Sequence, residues 1–304
     1  VGAKGVYQQN NNTVQTIASA SPEIRNQGDL KLGYEWDEVA FNGMVGVSRE
    51  PDYSSNYGGV DLKIDFDNKL SSLLAGVSYT SSGISSVTTE YYKYVNLDYY
   101  NSTGQVAGSG NSTHLVGSRQ DWAGRILFSR VVNKDLVIQA GLSFTQNQGF
   151  LSNPYKAVMM AFIDPVANKD GYYNSTIWGV AERRPQTRNQ GMFTANLVQY
   201  VESLDASIHA GYQFFRDDWG ITANTIEFDW VQPFDNGWSL TPRFRYYEQS
   251  QASFYSPYMV YGFAAPQISG NLNLKAVPTP NAYSSDYRLS AYGALSGGIT
   301  VTKK

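Results

Sequence analysis

Apolar and polar residues alternate with a period of two through most of this chain, most clearly between residues 205 and 255. Ile226, Phe228 and Trp230 alternate with Thr225, Glu227 and Asp229. Beyond Asp235-Asn236-Gly237, Trp238, Leu240, Phe244 and Tyr246 alternate with Ser239, Thr241, Arg243 and Arg245. Successive strand side chains point to opposite faces, so the pattern predicts two strands, each with a greasy face and a charged one. A three-residue hairpin loop with glycine in the left-handed position fixes their register. It sets Phe234 beside Trp238, Asp229 opposite Arg243 and Glu227 opposite Arg245, giving two acid and base pairs on one ladder.

The alternation recurs from Leu30 to Trp36, Phe41 to Val47, Val60 to Phe66, Leu73 to Tyr79, Trp122 to Phe128, Leu136 to Phe144, Phe193 to Leu197, Ile208 to Phe214 and Leu289 to Val301. With a poorer candidate in residues 1–20, the chain holds about twelve strands of roughly 9 to 12 residues, the length that crosses a bilayer when tilted. Tight turns such as Asp67-Asn68-Lys69 and Asn133-Lys134-Asp135 alternate with longer connections, among them residues 51–58, 81–118, 146–187 and 251–284. Such alternation marks an outer-membrane barrel with short periplasmic turns and long extracellular loops; a Greek-key sandwich does not predict it. The expected fold is all-β: one domain over residues 1–304, a closed antiparallel transmembrane β-barrel with both termini on the periplasmic side.

Lipid contact requires a fully paired backbone, hence closure. Grease then faces lipid, and Lys31, Glu35, Asp61, Lys63, Asp65, Arg125, His209, Glu227, Asp229, Arg243, Arg245 and Arg288 face the lumen. Trp36, Phe66, Trp230 and Trp238 beside the short turns, and Tyr79, Trp122, Tyr212 and Trp219 toward the long loops, make two aromatic girdles.

Composition fits this picture. Charged residues are only 16% and aromatics 14%, with 23 Tyr and 28 Gly, while the mean hydropathy is -0.36. A net charge of -3 gives no electrostatic reason to expect nucleic acid as a partner. The absence of cysteine excludes disulfides, thiol catalysis and cysteine metal sites, and suits export through an oxidising periplasm. No stretch approaches the roughly 20 apolar residues of a spanning helix. With no basic-then-apolar leader, the chain reads as processed or trimmed.

The segments FFRDDWGITANTIEF and TPRFRYYEQSQASFY, with SREPDYSSNYGG, NPYKAV and SSDYRLSAYGAL as further markers, span the chain from Val45 to Leu295. Together they resemble an uncharacterised family of bacterial outer-membrane barrels, domain-of-unknown-function family 3570. The resemblance implies a barrel in the outer membrane, with no known substrate or catalytic residues. One departure is the ending TVTKK, which lacks the terminal aromatic typical of outer-membrane barrels.

Among the inward charges, Glu227, Asp229, Arg243, Arg245, Arg288, Arg125 and His209 are candidates for a selective constriction or a substrate track. The competing reading is a self-satisfied polar network that fills the barrel and fixes its register. Twelve strands lie between a filled interior and a water channel. His209 has Ser207 beside it but no nucleophile motif, so it reads as a network histidine and the protein as a non-enzyme. No catalytic residue, cofactor or metal is assigned. Arg216, Asp217 and Asp218 sit at the rim, where they suit a cation or anionic lipid head groups, or else a turn-stabilising network with Trp219 as interface anchor. Residues 157–163 and 254–265 are too apolar for free loops; they form a plug, cap one another, or contact an envelope protein. The expected function is a narrow, porin-like channel for a small solute, surrounded by outer-membrane lipid and gated by its long loops. The alternative is a plugged scaffold barrel within a larger envelope complex.

Overall fold

The computed structural model describes residues 5–7, 13–16, 24–88, 95–96, 113–153, 156–268 and 270–303. From Asn26 onward the strands of four or more residues are β1 (Asn26–Glu35), β2 (Val39–Arg49), β3 (Tyr53–Phe66), β4 (Ser71–Thr88), β5 (Thr113–Asn133), β6 (Leu136–Gly149), β7 (Ala157–Ala167), β8 (Tyr173–Ala181), β9 (Thr187–Val201), β10 (Ala206–Asp217), β11 (Thr222–Pro233), β12 (Trp238–Gln249), β13 (Tyr258–Tyr261) and β14 (Tyr292–Lys303). All but β7, β8 and β13 form one eleven-stranded antiparallel meander in the order β1-β2-β3-β4-β5-β6-β9-β10-β11-β12-β14.

The turn chemistry delivers the expected register. Gly237 takes φ 77°, Phe234 N donates to Trp238 O at 2.8 Å, and Asp229 lies opposite Arg243 with Glu227 opposite Arg245. Several strands outrun the expected length: β4 has 18 residues and β5 has 21. Residues 81–88 and 113–118, expected as loop, continue the β4–β5 ladder without a break in register, out to Thr88 opposite Thr113. Residues 53–58 likewise belong to β3 and not to a loop. The β2–β3 and β10–β11 connections are therefore short, so turn and loop lengths do not alternate strictly. The candidate first strand lies partly outside the described residues; within it, Gly5–Tyr7 and Thr13–Thr16 form a separate two-stranded ribbon.

Two features set the architecture apart from a sandwich. Among the described residues the apolar face of the sheet packs on no second layer: Phe228 is 38% exposed, Phe244 44% and Leu295 71%. The hydrophobic core sits elsewhere, in a four-stranded cap ordered β13-β7-β8 and then Val95–Asn96. There Val158, Met160, Phe162, Trp178 and Val180 are buried with Leu272, Val277 and Tyr283. β7 and β13 run parallel, with Met159 beside Tyr258 and Phe162 beside Tyr261. Three long connections, those after β4, β6 and β12, thus meet in one sheet, and the two apolar segments cover one another.

The meander is open among the described residues. Its edges, β1 and β14, are exposed along their whole length. With an odd number of antiparallel strands, these edges run the same way, so pairing them directly would make the meander's one parallel seam.

Glycines let side chains reach across strands on the polar face. Gly76 lies between Asp61 of β3 and Arg125 of β5, whose carboxylate and guanidinium meet with two contacts of 2.8 Å. A Cβ at Gly76 would overlap the Asp61 carboxylate, whereas one at Gly124 meets only the Gly76 carbonyl oxygen at 4.0 Å. Gly76→Val is therefore expected to cost about 1–3 kcal/mol by leaving Asp61 and Arg125 unmatched. Gly124→Ala should change stability by no more than about 0.5 kcal/mol. Urea unfolding of the micelle-refolded protein, followed by heat-modifiable gel mobility, compares the two.

Candidate functional site

Strand alternation carries the charges of β10, β11 and β12 onto the polar face of the sheet. The result is a cavity of about 490 Å³ lined by His209, Glu227, Asp229, Arg243, Arg245, Asn196 and the Ser296–Gly298 segment, among others. Arg245 Nε lies 2.9 Å from Glu227 Oε1 and Arg243 Nε 3.5 Å from Asp229 Oδ2. His209 stands across the ladder from Asp229. All four charged side chains stay partly exposed, so each pair contributes only about 0–1 kcal/mol. They can still attract or orient a passing charge, because they are wet and only pairwise compensated.

The structure does not gather every residue singled out by sequence. Arg125 belongs to a second polar cavity, about 460 Å³, with Lys31, Asn42, Asp61 and Ser143. Arg288 is in no ladder: it lies in the 3-10 turn Tyr287–Leu289 before β14, where it binds Asp286. The rim triplet splits three ways. Arg216 follows Tyr212 and Phe214 on the apolar face and is exposed. Asp217 turns to the other face and is buried. Asp218 accepts from Asn189 N at 3.0 Å and from its side chain at 2.7 Å.

Asp217 holds the rim together. Its Oδ2 meets Arg188 Nη2 at 2.6 Å, and its Oδ1 accepts from Trp219 N and Ile221 N at 3.1 and 2.8 Å. The Arg188 guanidinium stacks 4.5 Å above the Trp219 ring, and Trp219 Nε1 donates to Thr187 O at 2.8 Å. Trp219 is only 4% exposed, packed with Ile221, Ala252 and Leu289, so it is no lipid-interface anchor. Gly220, at φ 91°, makes the turn that folds it inward.

A further buried network, which sequence reading missed, fastens the cap to this rim. Arg184 bridges Glu182 at 2.8 Å and Asp286 at 2.7 Å. Asp286 in turn meets Arg288 at 2.6 Å. Ser284 Oγ and Asn153 N both donate to Glu182. Burial pushes the Asp286 carboxyl up, but hydrogen bonds from Arg288 and Arg184 outweigh it and hold the group well below the usual carboxylate range. No sequence spacing could reveal this set, since Arg184 and Asp286 stand 102 residues apart. Among the described residues no group of three or more His, Asp or Glu side chains could hold a metal ion.

The chain belongs to the family described as protein of unknown function (DUF3570), matched over residues 5–304. No curated protein matches it in sequence. Among solved structures it is similar to the ferric enterobactin receptor from Pseudomonas aeruginosa, with 10% identity and a TM-score of 0.51 over 77% of this chain and 35% of that one. The ferric-catecholate import receptor Fiu from E. coli aligns over 99% of this chain and 51% of its own, with 10% identity and a TM-score of 0.44. The translocator domain of the autotransporter NalP from Neisseria meningitidis aligns over 80% and 78%, with 14% identity and a TM-score of 0.29. The chain thus spans about a third of the first receptor and about half of the second. Likeness at this identity concerns the fold alone: an all-β sheet of the outer-membrane barrel type.

Two outcomes follow from the rim and cap. Asp217→Asn leaves a half-buried Arg188 without its counter-charge and should cost about 3–5 kcal/mol, against at most about 1 kcal/mol for Glu227→Gln, both read by urea unfolding. Asp286 is depressed in the folded state. Its contribution is therefore complete above the unfolded value of about 3.9 and is lost only as pH falls below that. Protease protection of residues 156–186 should then be the same at pH 7 and at about pH 5, while Asp286→Asn should lose it at pH 7.

Proposed function

We propose that the family 3570 sheet closes into a barrel of about twelve strands in the bacterial outer membrane and acts as a narrow channel for a small solute. The observation that carries this reading is the uncovered apolar face set against an opposite face of paired charges: such a sheet is stable only with lipid on one side and water on the other. A twelfth strand running from the short-turn end to the long-loop end would be antiparallel to both β1 and β14 and would put the polar face inside. Glu227, Asp229, Arg243, Arg245 and His209 then line one flank of the lumen and Arg125 with Asp61 another, while the cap joins connections from three places around the mouth and restricts entry. Near-balanced acid and base pairs suit a small neutral or zwitterionic solute. The reading is non-enzymatic.

Purified protein in planar bilayers should show discrete small openings with a reversal potential near zero in a salt gradient. Glu227→Gln with Asp229→Asn frees two arginines and should shift selectivity toward anions. Silent bilayers containing correctly folded protein would overturn the channel.

One observation favours a second reading, a scaffold barrel in an envelope complex. The cap's outward face presents Met159, Ile163, Tyr258 and Val260, all exposed and apolar, on the two segments 157–163 and 254–265. On that reading, crosslinking in intact cells from a photoreactive residue at Val260 should trap one defined envelope protein; labelling only of lipid or of the barrel itself would remove it.

A further inference from the structure

The apolar face of the sheet is not uniformly bulky. Small residues at Gly43 on β2, Gly58 on β3, Ala75 on β4 and Gly124 on β5 sink a furrow into it, and larger side chains wall it. One part, about 520 Å³, lies between Phe41, Leu62, Ile126 and Phe144. The adjoining part, about 390 Å³, runs between Leu30, Val45, Tyr79 and Trp122. Tyr79 and Trp122 close one end as an aromatic pair with centroids 4.5 Å apart. The furrow is open space: Gly124 has nothing nearer its Cβ direction than a carbonyl oxygen at 4.0 Å.

The charged positions along this furrow, Asp61 and Arg125, pair with each other, and Asp218 beyond the strand end is held by Asn189; the charge left unpaired is a cation. Following the ladder from Gly124 leads to Phe144, then Gly191, then Arg216. Gly191 bears no side chain, so nothing rises between the Phe144 wall and the arginine. Arg216 occupies the apolar face one residue from the long-loop end of β10 and is exposed. Among the described residues its side chain has no carboxylate and no hydrogen-bond partner, whereas Arg188, Arg184 and Arg245 each have one. An unpaired guanidinium at the edge of an apolar surface is a bidentate receptor for a phosphate held at the same depth.

We infer that this face binds one lipid of the outer leaflet whose head group carries phosphate: its acyl chains fill the furrow and its phosphate sits on Arg216. Charge complementarity selects that occupant over a zwitterionic phospholipid, which offers Arg216 a phosphate already neutralised by its own amine. The inference rests on the membrane placement proposed above and is independent of transport.

The test is native mass spectrometry of the full chain in detergent, titrated with bis-phosphorylated lipid A or with phosphatidylethanolamine. The wild type should retain a single lipid A at concentrations where phosphatidylethanolamine is lost. Arg216→Ser should weaken lipid A retention by about tenfold and leave phosphatidylethanolamine unchanged. Gly124→Phe, which fills the furrow without a backbone clash, should weaken both. Heat-modifiable mobility confirms that both variants fold. Equal retention by all three proteins, or no discrimination between the lipids by the wild type, overturns the inference. So does a wild-type dimer that Gly124→Phe dissociates, because the furrow would then seat a second copy of the chain. A barrel that binds lipid A yet never conducts leaves this inference standing and removes only the channel.

Discussion

Everything in this structure depends on what covers the apolar face of the meander. Eleven strands align Leu, Ile, Val and aromatic side chains on one side, and among the described residues no helix or second sheet lies over them. In water such a surface is an aggregation site of the kind soluble proteins avoid. In hydrocarbon it costs nothing, and the burden moves to the backbone, whose polar groups must then all be paired. Edge strands as long as β1 and β14 satisfy that demand only when the sheet meets itself. The apolar face and the need for closure are one constraint seen from two sides.

That constraint also explains how the polar face is built. In the closed barrel proposed above, a face turned toward the interior would have less room than one turned toward lipid. Glycine at alternate strands lets a long side chain cross its neighbour, as Arg125 crosses Gly76 to reach Asp61. The ion pairs made this way remain wet and individually weak, so they fix register more than they add stability. The strong electrostatics lie outside the spanning part. Asp217 with Arg188, and Glu182 and Asp286 with Arg184, are buried where loops pack on one another, and each carboxylate takes several donors. Stability where the loops pack therefore comes from a few dry networks and not from the ladder charges.

How much of this was legible in the chain depended on the range of the interaction. The β11–β12 register was readable to the residue because Asp235-Asn236-Gly237 specifies its own loop geometry, and the neighbouring strands were readable because a period of two needs no partner to be seen. The cap was not. Residues 157–163 announce themselves as too apolar for a loop, but β7 pairs in parallel with β13, and parallel pairing leaves no local turn to betray it. Trp219 was misplaced for a similar reason. Its position near a strand end fits an interfacial anchor, and only the left-handed turn at Gly220 and the Thr187 carbonyl show that it faces inward. Arg216, Asp217 and Asp218 look like one cluster in sequence, yet strand alternation followed by a turn sends them to three environments.

The cap changes the meaning of the charged ladder. Were the long connections independent, any one could swing away from the mouth at the cost of a few contacts. Here the connection after β6 supplies β7 and β8, the connection after β12 supplies β13, and the one after β4 supplies the pairing at Val95 and Asn96. Moving one strand means breaking a shared core around Trp178 and Phe162. Such a sheet moves as a body, about its attachment at Arg184, Asp286 and Trp219, or not at all. On the channel proposed above, a solute would reach Glu227 and Arg245 only past a cap that does not open one strand at a time, so the cap, more than the ladder charges, would set the size limit.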